Sequence, residues 1–289
     1  MFQPVCELTQ VKSYPTVIAT NGDEADIYYP DLSQLSHQNF RCPMALFLQG
    51  FEVDKLYYTL FSKLIASAGF VVIVPNHIPP GRTYLAPELT QIKAILDYFK
   101  SNPSQENAKM LDGLDREKLV LFGHSCGGIT GLEAIRYSER VEEISQKKYI
   151  RPPELVGGVF YGTNLLRKEA GTLTIQNSGI PIALIAGELD SIVLPELTKR
   201  TYNNIADSPK AFIQIQGINH YGITDVSQPK DGPEEQIQPQ LKQTESIKII
   251  AEWAGLFLQA YVLKQQASLD ILSQNCNFFN EQVRVICEG

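Results

Sequence analysis

Ser125 lies in a short motif whose residue types are suited to nucleophilic catalysis. The segment Leu119–Ile135 reads LVLFGHSCGGITGLEAI, an apolar run that ends in Gly-His-Ser-Cys-Gly and continues with helical periodicity. A serine placed between a strand and a helix in this pattern is typical of a nucleophile elbow, a sharp turn that lifts the hydroxyl above the sheet. Gly123 and Gly127 lack a Cβ atom, so the strand and the helix can approach closely. The motif predicts Ser125 as a nucleophile; the alternative is a helix N-cap serine with packing glycines.

A serine nucleophile needs a general base and an acid that orients the base, and both are expected at the ends of later strands. His220 follows Ser125 at a distance, in the sequence INHYG directly after an apolar strand. Asp190 follows the preceding strand in GELDSIV, and we predict that it is the acid. Glu188 is the second choice, and Asp225 lies too close to His220 in the chain. The chain order Ser125, Asp190, His220 is the order expected for such a triad.

Two backbone N–H groups are predicted to stabilise the oxyanion. One belongs to Cys126 at the N-terminus of the elbow helix, and the other to Phe51 in the loop after the apolar strand 44–50. Because the position of Cys126 uses its N–H, its thiol is not expected to be the nucleophile. The side chains expected to contact the substrate share an apolar or aromatic character, and packing in the core is the alternative for several of them: Phe51, Tyr57, Tyr161, Ile192 and Tyr221.

From residue 44 onward, strand-like and helix-like segments alternate, which favours an α/β fold: a mostly parallel central sheet with helices on both faces. The segments 16–20 and 25–30, separated by NGDE, predict an N-terminal antiparallel hairpin. We expect one domain over residues 1–289, with a core of about 14–265 and a C-terminal tail at 266–289. The polar segment 227–243 is predicted to be a surface loop, and the alternative is a lid over the site.

Charge and cysteine content exclude several classes of function. A net charge of −7 and a pI near 5.2 argue against nucleic-acid binding, and the chain has no apolar run of membrane-spanning length. The N-terminus lacks the features of a signal peptide, so a cytoplasmic location is the default expectation. Cys276 and Cys287 are spaced for a disulfide, which would indicate an exported or periplasmic mature form; two free thiols are the alternative. His77 and His124 are expected to be structural, and no metal or other cofactor is predicted.

Two stretches of the chain resemble chlorophyllases. MALFLQGFEVDKLYYTLFSKLIASAGFVVIVPNH resembles their strand–loop–helix–strand segment, and LVLFGHSCGGITGLEA is similar to their Gly-His-Ser-Arg-Gly-Gly elbow. The resemblance covers about residues 44–134 and is nearest to a bacterial or cyanobacterial chlorophyllase-like enzyme. It implies an α/β-hydrolase fold, and hydrolysis of chlorophyll to chlorophyllide and phytol without a cofactor.

The C-terminal half is more similar to dienelactone hydrolases and cutinase-like polyester hydrolases. Its PIALIAGELDSIVLP resembles their acid loop and its GINHYG their histidine loop. The chain departs from the chlorophyllase pattern at Gln49, where histidine is usual, and at Cys126, where arginine is usual. The segment FYGTNLL, where plant chlorophyllases are expected to carry the acid, contains no carboxylate, and this moves the acid role to Asp190.

The sequence therefore predicts a serine carboxylic-ester hydrolase that acts on an apolar ester, with chlorophyll as the first choice. The alternatives are a general lipase, a cutinase-like or lipid-acetyl esterase and, third, a non-catalytic binding protein on the same fold. Peripheral contact with a membrane and the oligomeric state stay open.

Overall fold

The fold is built on a nine-stranded sheet, seen in a computed structural model that describes residues 10–31, 41–101, 111–141, 148–165, 173–277 and 282–289. The strands are β1 (Val11–Ile18), β2 (Asp23–Pro30), β3 (Cys42–Leu48), β4 (Val71–Asn76), β5 (Leu114–His124), β8 (Leu155–Tyr161), β9 (Ile182–Gly187), β10 (Lys210–Ile215) and β11 (Val283–Glu288). Their spatial order is β1-β2-β4-β3-β5-β8-β9-β10-β11. Strands β6 (Glu139–Val141) and β7 (Lys148–Ile150) form a separate antiparallel pair.

The six central strands, from β4 to β10, run parallel to their neighbours. Strand β3 reads CPMALFL and β9 reads IALIAG, and every residue of both is buried. Continuous apolar strands of this kind are expected where helices cover both faces of a parallel sheet. Because the strands are parallel, their carboxyl ends meet at one edge of the sheet, where β5, β9 and β10 deliver the candidate catalytic residues.

Six α-helices lie wholly within the described residues, and they cover both faces of the sheet. They are α1 (Thr59–Ser67), preceded by a 3₁₀ turn (Lys55–Tyr58), α2 (Thr90–Ser101), α3 (Cys126–Arg136), α4 (Pro195–Asn203), α5 (Gln243–Tyr261) and α6 (Gln266–Asn275). Alternate residues of β3 point to opposite faces: Ala45 and Phe47 belong to the core with α1, α5 and α6. Met44 and Leu46 belong to the core with α2, α3 and α4.

The two ends of the sheet are antiparallel. Strand β1 pairs with β2 across the predicted turn, but it begins at Val11 rather than at Thr16. Strand β2 then pairs antiparallel with β4. At the other end, the segment that we expected only as a tail forms α6 and the edge strand β11, which pairs antiparallel with β10. A disulfide joins Cys276 and Cys287, so it ties the end of α6 to this edge strand.

The described helices include none that is both long and apolar enough to cross a membrane.

Candidate active site

Ser125 occupies the turn between β5 and α3 in a strained backbone conformation. Its φ of 54° and ψ of −116° are rare for a residue with a side chain. A Cβ atom on Gly127 would lie 2.0 Å from the carbonyl oxygen of Leu48, and one on Gly123 would lie 2.6 Å from the backbone of Gly127. The glycines are therefore needed for the close packing that the motif predicts. The side chain of Ser125 makes no helix-capping hydrogen bond, unlike an N-cap serine.

Asp190 and His220 form a buried acid–base pair at the ends of β9 and β10. Asp190 Oδ2 lies 2.8 Å from His220 Nδ1, and the two residues are only 2% and 1% exposed. The other carboxylate oxygen accepts hydrogen bonds from the backbone N–H groups of Ile192 at 3.0 Å and Val193 at 2.7 Å. A carboxylate fixed in this way holds the proton on Nδ1 and leaves Nε2 as the basic nitrogen.

Strand β8 lies between the serine and the acid–base pair. The N–H of Ser125 donates to the carbonyl oxygen of Tyr161 at 2.9 Å. The next residue, Gly162, packs so closely on the pair that a Cβ there would lie 3.0 Å from Asp190 Oδ2 and 3.1 Å from His220 Nδ1. Within the described residues no hydrogen bond joins the Ser125 hydroxyl to His220. Such contacts are often loose without substrate.

His124, the residue before the serine, connects the elbow to the histidine loop. Its ring centroid lies 4.7 Å from that of His220, and its Nε2 donates to the carbonyl oxygen of His220 at 2.9 Å. Burial, together with the nearby His220, holds the pKa of His124 well below its usual range. The neutral ring therefore accepts at Nδ1, where the hydroxyl of Tyr58 lies 3.0 Å away.

The backbone N–H groups of Phe51 and Cys126 have no acceptor among the described residues. The neighbouring N–H of Gly50 is already used, since it donates to Tyr58 Oη at 2.9 Å. Free N–H groups are what an oxyanion requires. Burial and the nearby Glu133 raise the pKa of the Cys126 thiol to about 11, which keeps it protonated and a poor nucleophile.

The predicted substrate-contacting residues divide into two groups. Phe51 is 41% exposed, with its ring 5.4 Å from that of Tyr84, and Tyr57 and Ile192 are half-buried. Tyr161 and Tyr221 are at most 1% exposed. Their hydroxyls donate to the backbone carbonyls of Asn219 and Pro233. Because the polar tips of these two rings are satisfied inside the protein, the rings are part of the core rather than an accessible wall, contrary to the expectation for them.

Glu188 and Asp225, the other two carboxylates considered for the role of the acid, have structural partners. Glu188 is exposed and accepts from the N–H of Gly217 at 3.2 Å. Asp225 accepts from the N–H groups of Thr59 at 2.8 Å and Leu60 at 3.2 Å, so it caps the start of α1. Neither takes the position beside His220 that Asp190 occupies.

Sequence reasoning missed Glu235, which lies in the polar segment before α5. Its side chain is 7% exposed and accepts a hydrogen bond from the N–H of His220 at 3.1 Å. It also accepts from the N–H of Ser191 at 3.3 Å. Its neighbour Glu234 is exposed. No sequence pattern separates these two adjacent glutamates, because the difference lies in which loops the chain brings to them.

A second buried histidine cluster lies away from the triad. His77 Nδ1 is 2.9 Å from Asp23 Oδ1, and its Nε2 is 3.3 Å from Glu88 Oε2. Burial opposes the charged ring, but the hydrogen bonds and charges of Asp23 and Glu88 raise the pKa of His77 overall. The cluster ties β2 and β4 to the segment before α2. Throughout the described ranges, no three His, Cys, Asp or Glu side chains are grouped to hold a metal ion.

Residues 29–143 match the family model described as chlorophyllase, so this part of the chain is similar to chlorophyllases. The match covers less than half of the chain. It contains β3, α1, β4 and the elbow with Ser125, whereas Asp190 and His220 lie beyond it. A search of curated proteins found none with significant similarity to the chain. The likeness of the C-terminal half to dienelactone hydrolases and cutinase-like enzymes stays a prediction.

Proposed function

We propose that this chlorophyllase-like α/β-hydrolase cleaves carboxylic esters through an acyl intermediate on Ser125. The observation that carries the proposal is the 2.8 Å contact between Asp190 Oδ2 and His220 Nδ1. A buried carboxylate held by two N–H groups against a histidine has the geometry that activates a serine hydroxyl. The family match supports ester hydrolysis, and the site geometry supports the serine mechanism.

In the first step, Ser125 Oγ bonds to the ester carbonyl carbon and its proton passes to His220 Nε2. The N–H groups of Phe51 and Cys126 stabilise the oxyanion, and Asp190 stabilises the imidazolium. The C–O bond then breaks, and the alcohol leaves with the proton from His220. Water repeats the sequence on the acyl-serine and releases the acid. The loss of one oxyanion donor in such a site typically costs about 100- to 1000-fold in rate.

The substrate that we propose is chlorophyll, which would give chlorophyllide and phytol. The match to the chlorophyllase family supports this choice. Exposed apolar side chains in the segments that follow β3 and β9 also support it, since Phe51, Leu56 and Leu194 are 41%, 63% and 51% exposed. Exposed apolar residues near a site favour a hydrophobic ligand over a polar one.

A general esterase on smaller apolar esters is the second candidate. The burial of Tyr161 and Tyr221 favours it, because these rings do not contribute to a wide aromatic wall for a macrocycle. Gln49 and Cys126 also stand where chlorophyllases carry histidine and arginine. Gln49 is fully buried.

Product analysis of the wild type and Ser125→Ala separates these candidates, with chlorophyll a and p-nitrophenyl esters of short and medium acyl chains as substrates. Release of chlorophyllide by the wild type alone supports chlorophyll hydrolysis. Cleavage of the small esters alone reduces the proposal to a general esterase. If no ester is turned over in a serine-dependent manner, the proposal of an ester hydrolase fails. A non-catalytic binding protein on the same fold is then the better explanation.

Asp190→Asn is the matching test of the acid, with Glu188→Gln as its control. The amide no longer holds the correct tautomer of His220, so kcat is expected to fall by about 10⁴-fold. Glu188 is exposed and bonded to Gly217, so its variant is expected to keep wild-type activity. The opposite pattern would assign the acid role to Glu188.

The disulfide between Cys276 and Cys287 supports an oxidising compartment for this enzyme rather than the cytoplasm.

A further inference from the structure

We propose that Glu235 is a positioning residue that holds the acid loop and the base loop of the triad together. This inference rests on the proposed function, since it assigns a role within the same site. It concerns a carboxylate that touches neither the serine nor the predicted substrate side chains.

The side chain of Glu235 bridges two loops that follow different strands. One oxygen, Oε2, accepts from the N–H of His220 at 3.1 Å and from the N–H of Ser191 at 3.3 Å. The other oxygen accepts from the hydroxyl of Ser191 and from the N–H of Ile237 at 3.0 Å. Ser191 directly follows Asp190. One carboxylate therefore fixes the backbone beside the acid and the backbone of the base.

The hydrogen bonds indicate which groups donate. The hydroxyl oxygen of Ser191 accepts from the N–H of Gln236 at 3.1 Å, so its proton is directed to Glu235. Both oxygens of Glu235 thus act as acceptors, which is the bonding pattern of an ionised carboxylate. Hydrogen bonds to a charged acceptor are about twice as strong as neutral ones, and removal of a buried partner leaves donors unsatisfied.

Glu235 and Asp190 place two buried carboxylates around one histidine. In the described part of the chain, neither carboxylate forms an ion pair with a lysine or an arginine. The rings of His124 and Tyr221 pack against that of His220, with centroids 4.7 Å and 5.3 Å from its own. Asp190 thus holds the ring of His220, and Glu235 holds its backbone.

The segment 227–242, which we call the strap, therefore packs against the histidine loop of the triad rather than covering the site as a lid. Besides Glu235, its backbone carbonyl at Ile237 accepts from Asn219 Nδ2 at 2.8 Å, and that at Pro233 accepts from Tyr221 Oη at 2.5 Å. At its far end, the N–H of Gln240 donates to Gly217 at 2.8 Å. These contacts reach the histidine loop on both sides of His220.

The test compares Glu235→Gln with Glu234→Gln. The two substitutions remove the same charge from adjacent positions, but Glu234 is exposed whereas Glu235 is buried. The readout is the rate at which a fluorophosphonate inactivates the enzyme by reaction with Ser125, measured as a function of pH, so no natural substrate is needed. Thermal unfolding of each variant shows that it is folded.

We expect the plateau rate of Glu235→Gln to fall by on the order of 10- to 100-fold, because a misplaced base loses attack geometry. With a p-nitrophenyl ester, the loss is expected in kcat and not in KM, because the base is misplaced while the substrate surface is unchanged. Glu234→Gln should match the wild type in both respects. A folded Glu235→Gln with a wild-type plateau and kcat overturns the inference while the serine mechanism stands. An unreactive wild type overturns the proposed function instead.

Glu235→Asp keeps the test decisive if the glutamine variant does not fold. The charge is retained, but the shorter side chain cannot reach all four donors, so the plateau rate should fall. An unchanged plateau in this variant contradicts the bridging role.

Discussion

Tyr58 and His124 are joined by a fully buried hydrogen bond of 3.0 Å between Tyr58 Oη and His124 Nδ1. The same tyrosine hydroxyl accepts from the N–H of Gly50, and the same imidazole donates to the carbonyl of His220. The chain of bonds thus runs from the proposed oxyanion loop, through the elbow, to the proposed base. It fixes the tautomer of His124 and the orientation of the Gln49–Gly50 peptide at once.

Tyr58→Phe is expected to destabilise the fold by about 1–3 kcal/mol, because it leaves the Gly50 N–H and His124 Nδ1 buried without a partner. The free energy of unfolding in urea measures the effect. Tyr57→Phe is the matched control for stability, since its ring is half-buried and its hydroxyl makes no hydrogen bond among the described residues. Equal losses in the two variants would show that the bridge contributes nothing specific.

His77 and His124 are expected to change stability with pH in opposite directions. Burial lowers the pKa of His124, so the unfolded chain takes up this proton first. The contribution of His124 to the free energy of unfolding is present at neutral pH and is lost as the pH falls below about 6.5. For His77, Asp23 and Glu88 outweigh burial and raise the pKa. The contribution of His77 is complete below about 6.5 and is lost as the pH rises through the raised value.

Urea unfolding at several pH values between about 5 and 8 tests this pair, with His77→Gln and His124→Gln as variants. His77→Gln should lose most stability relative to the wild type at the acidic end of the range. For His124→Gln the deficit should be largest at the alkaline end. Deficits that vary with pH in the same direction for both variants would contradict the assignment.

Gly127→Ala is expected to prevent the elbow from forming, because its Cβ would lie 2.0 Å from the carbonyl oxygen of Leu48. Backbone atoms of a buried strand cannot move aside cheaply, so a loss above about 3 kcal/mol is expected, together with loss of serine reactivity. Gly255→Ala in α5 is the control, since its Cβ would meet only Ala68 Cβ at 3.4 Å. Alanine is the better helix former by about 1 kcal/mol, so this variant should be neutral or more stable. A stable and reactive Gly127→Ala variant would show that the elbow accommodates a Cβ atom at this position.

Removal of the disulfide by Cys276→Ser with Cys287→Ser is expected to lower the free energy of unfolding by roughly 2–4 kcal/mol. The bond joins the end of α6 to β11 with Cα atoms 5.4 Å apart, so its loss frees an edge strand. Unfolding of the wild type with and without reductant, beside the double variant, measures the effect. Reductant should lower the stability of the wild type and leave the variant unchanged; a further loss in the variant would place the effect elsewhere.

The parts of the fold that follow local rules were predictable from the sequence. The alternation of buried strands and amphipathic helices predicted a mostly parallel α/β sheet, and the structure confirms it. The hairpin of β1 and β2 was predicted from its turn residues, although the strand start at Val11 was not. Strand β11 was missed because its pairing with β10 joins residues about 70 positions apart and leaves no local signal.

Residues of the candidate site that follow strand ends could be predicted from the sequence. Residues whose environment depends only on packing could not. Ser125, Asp190 and His220 follow strands whose ends must meet, so their positions could be read from the order of elements. Tyr161 and Tyr221 were expected at the pocket wall because aromatic residues near a site look alike in a sequence, whether they are exposed or buried. Glu235 was missed for the same reason, since its burial depends on a loop that returns to His220.

The strap at residues 227–242 restricts how the specificity of the proposed hydrolase can be redesigned. A loop at the rim of a site is normally the first place to graft or lengthen sequence for a new substrate. Here a graft would also remove the hydrogen bonds that Glu235 makes to the N–H groups of Ser191 and His220. Libraries aimed at new substrates are therefore better placed at exposed side chains such as Phe51 and Leu56, where variation leaves the base undisturbed.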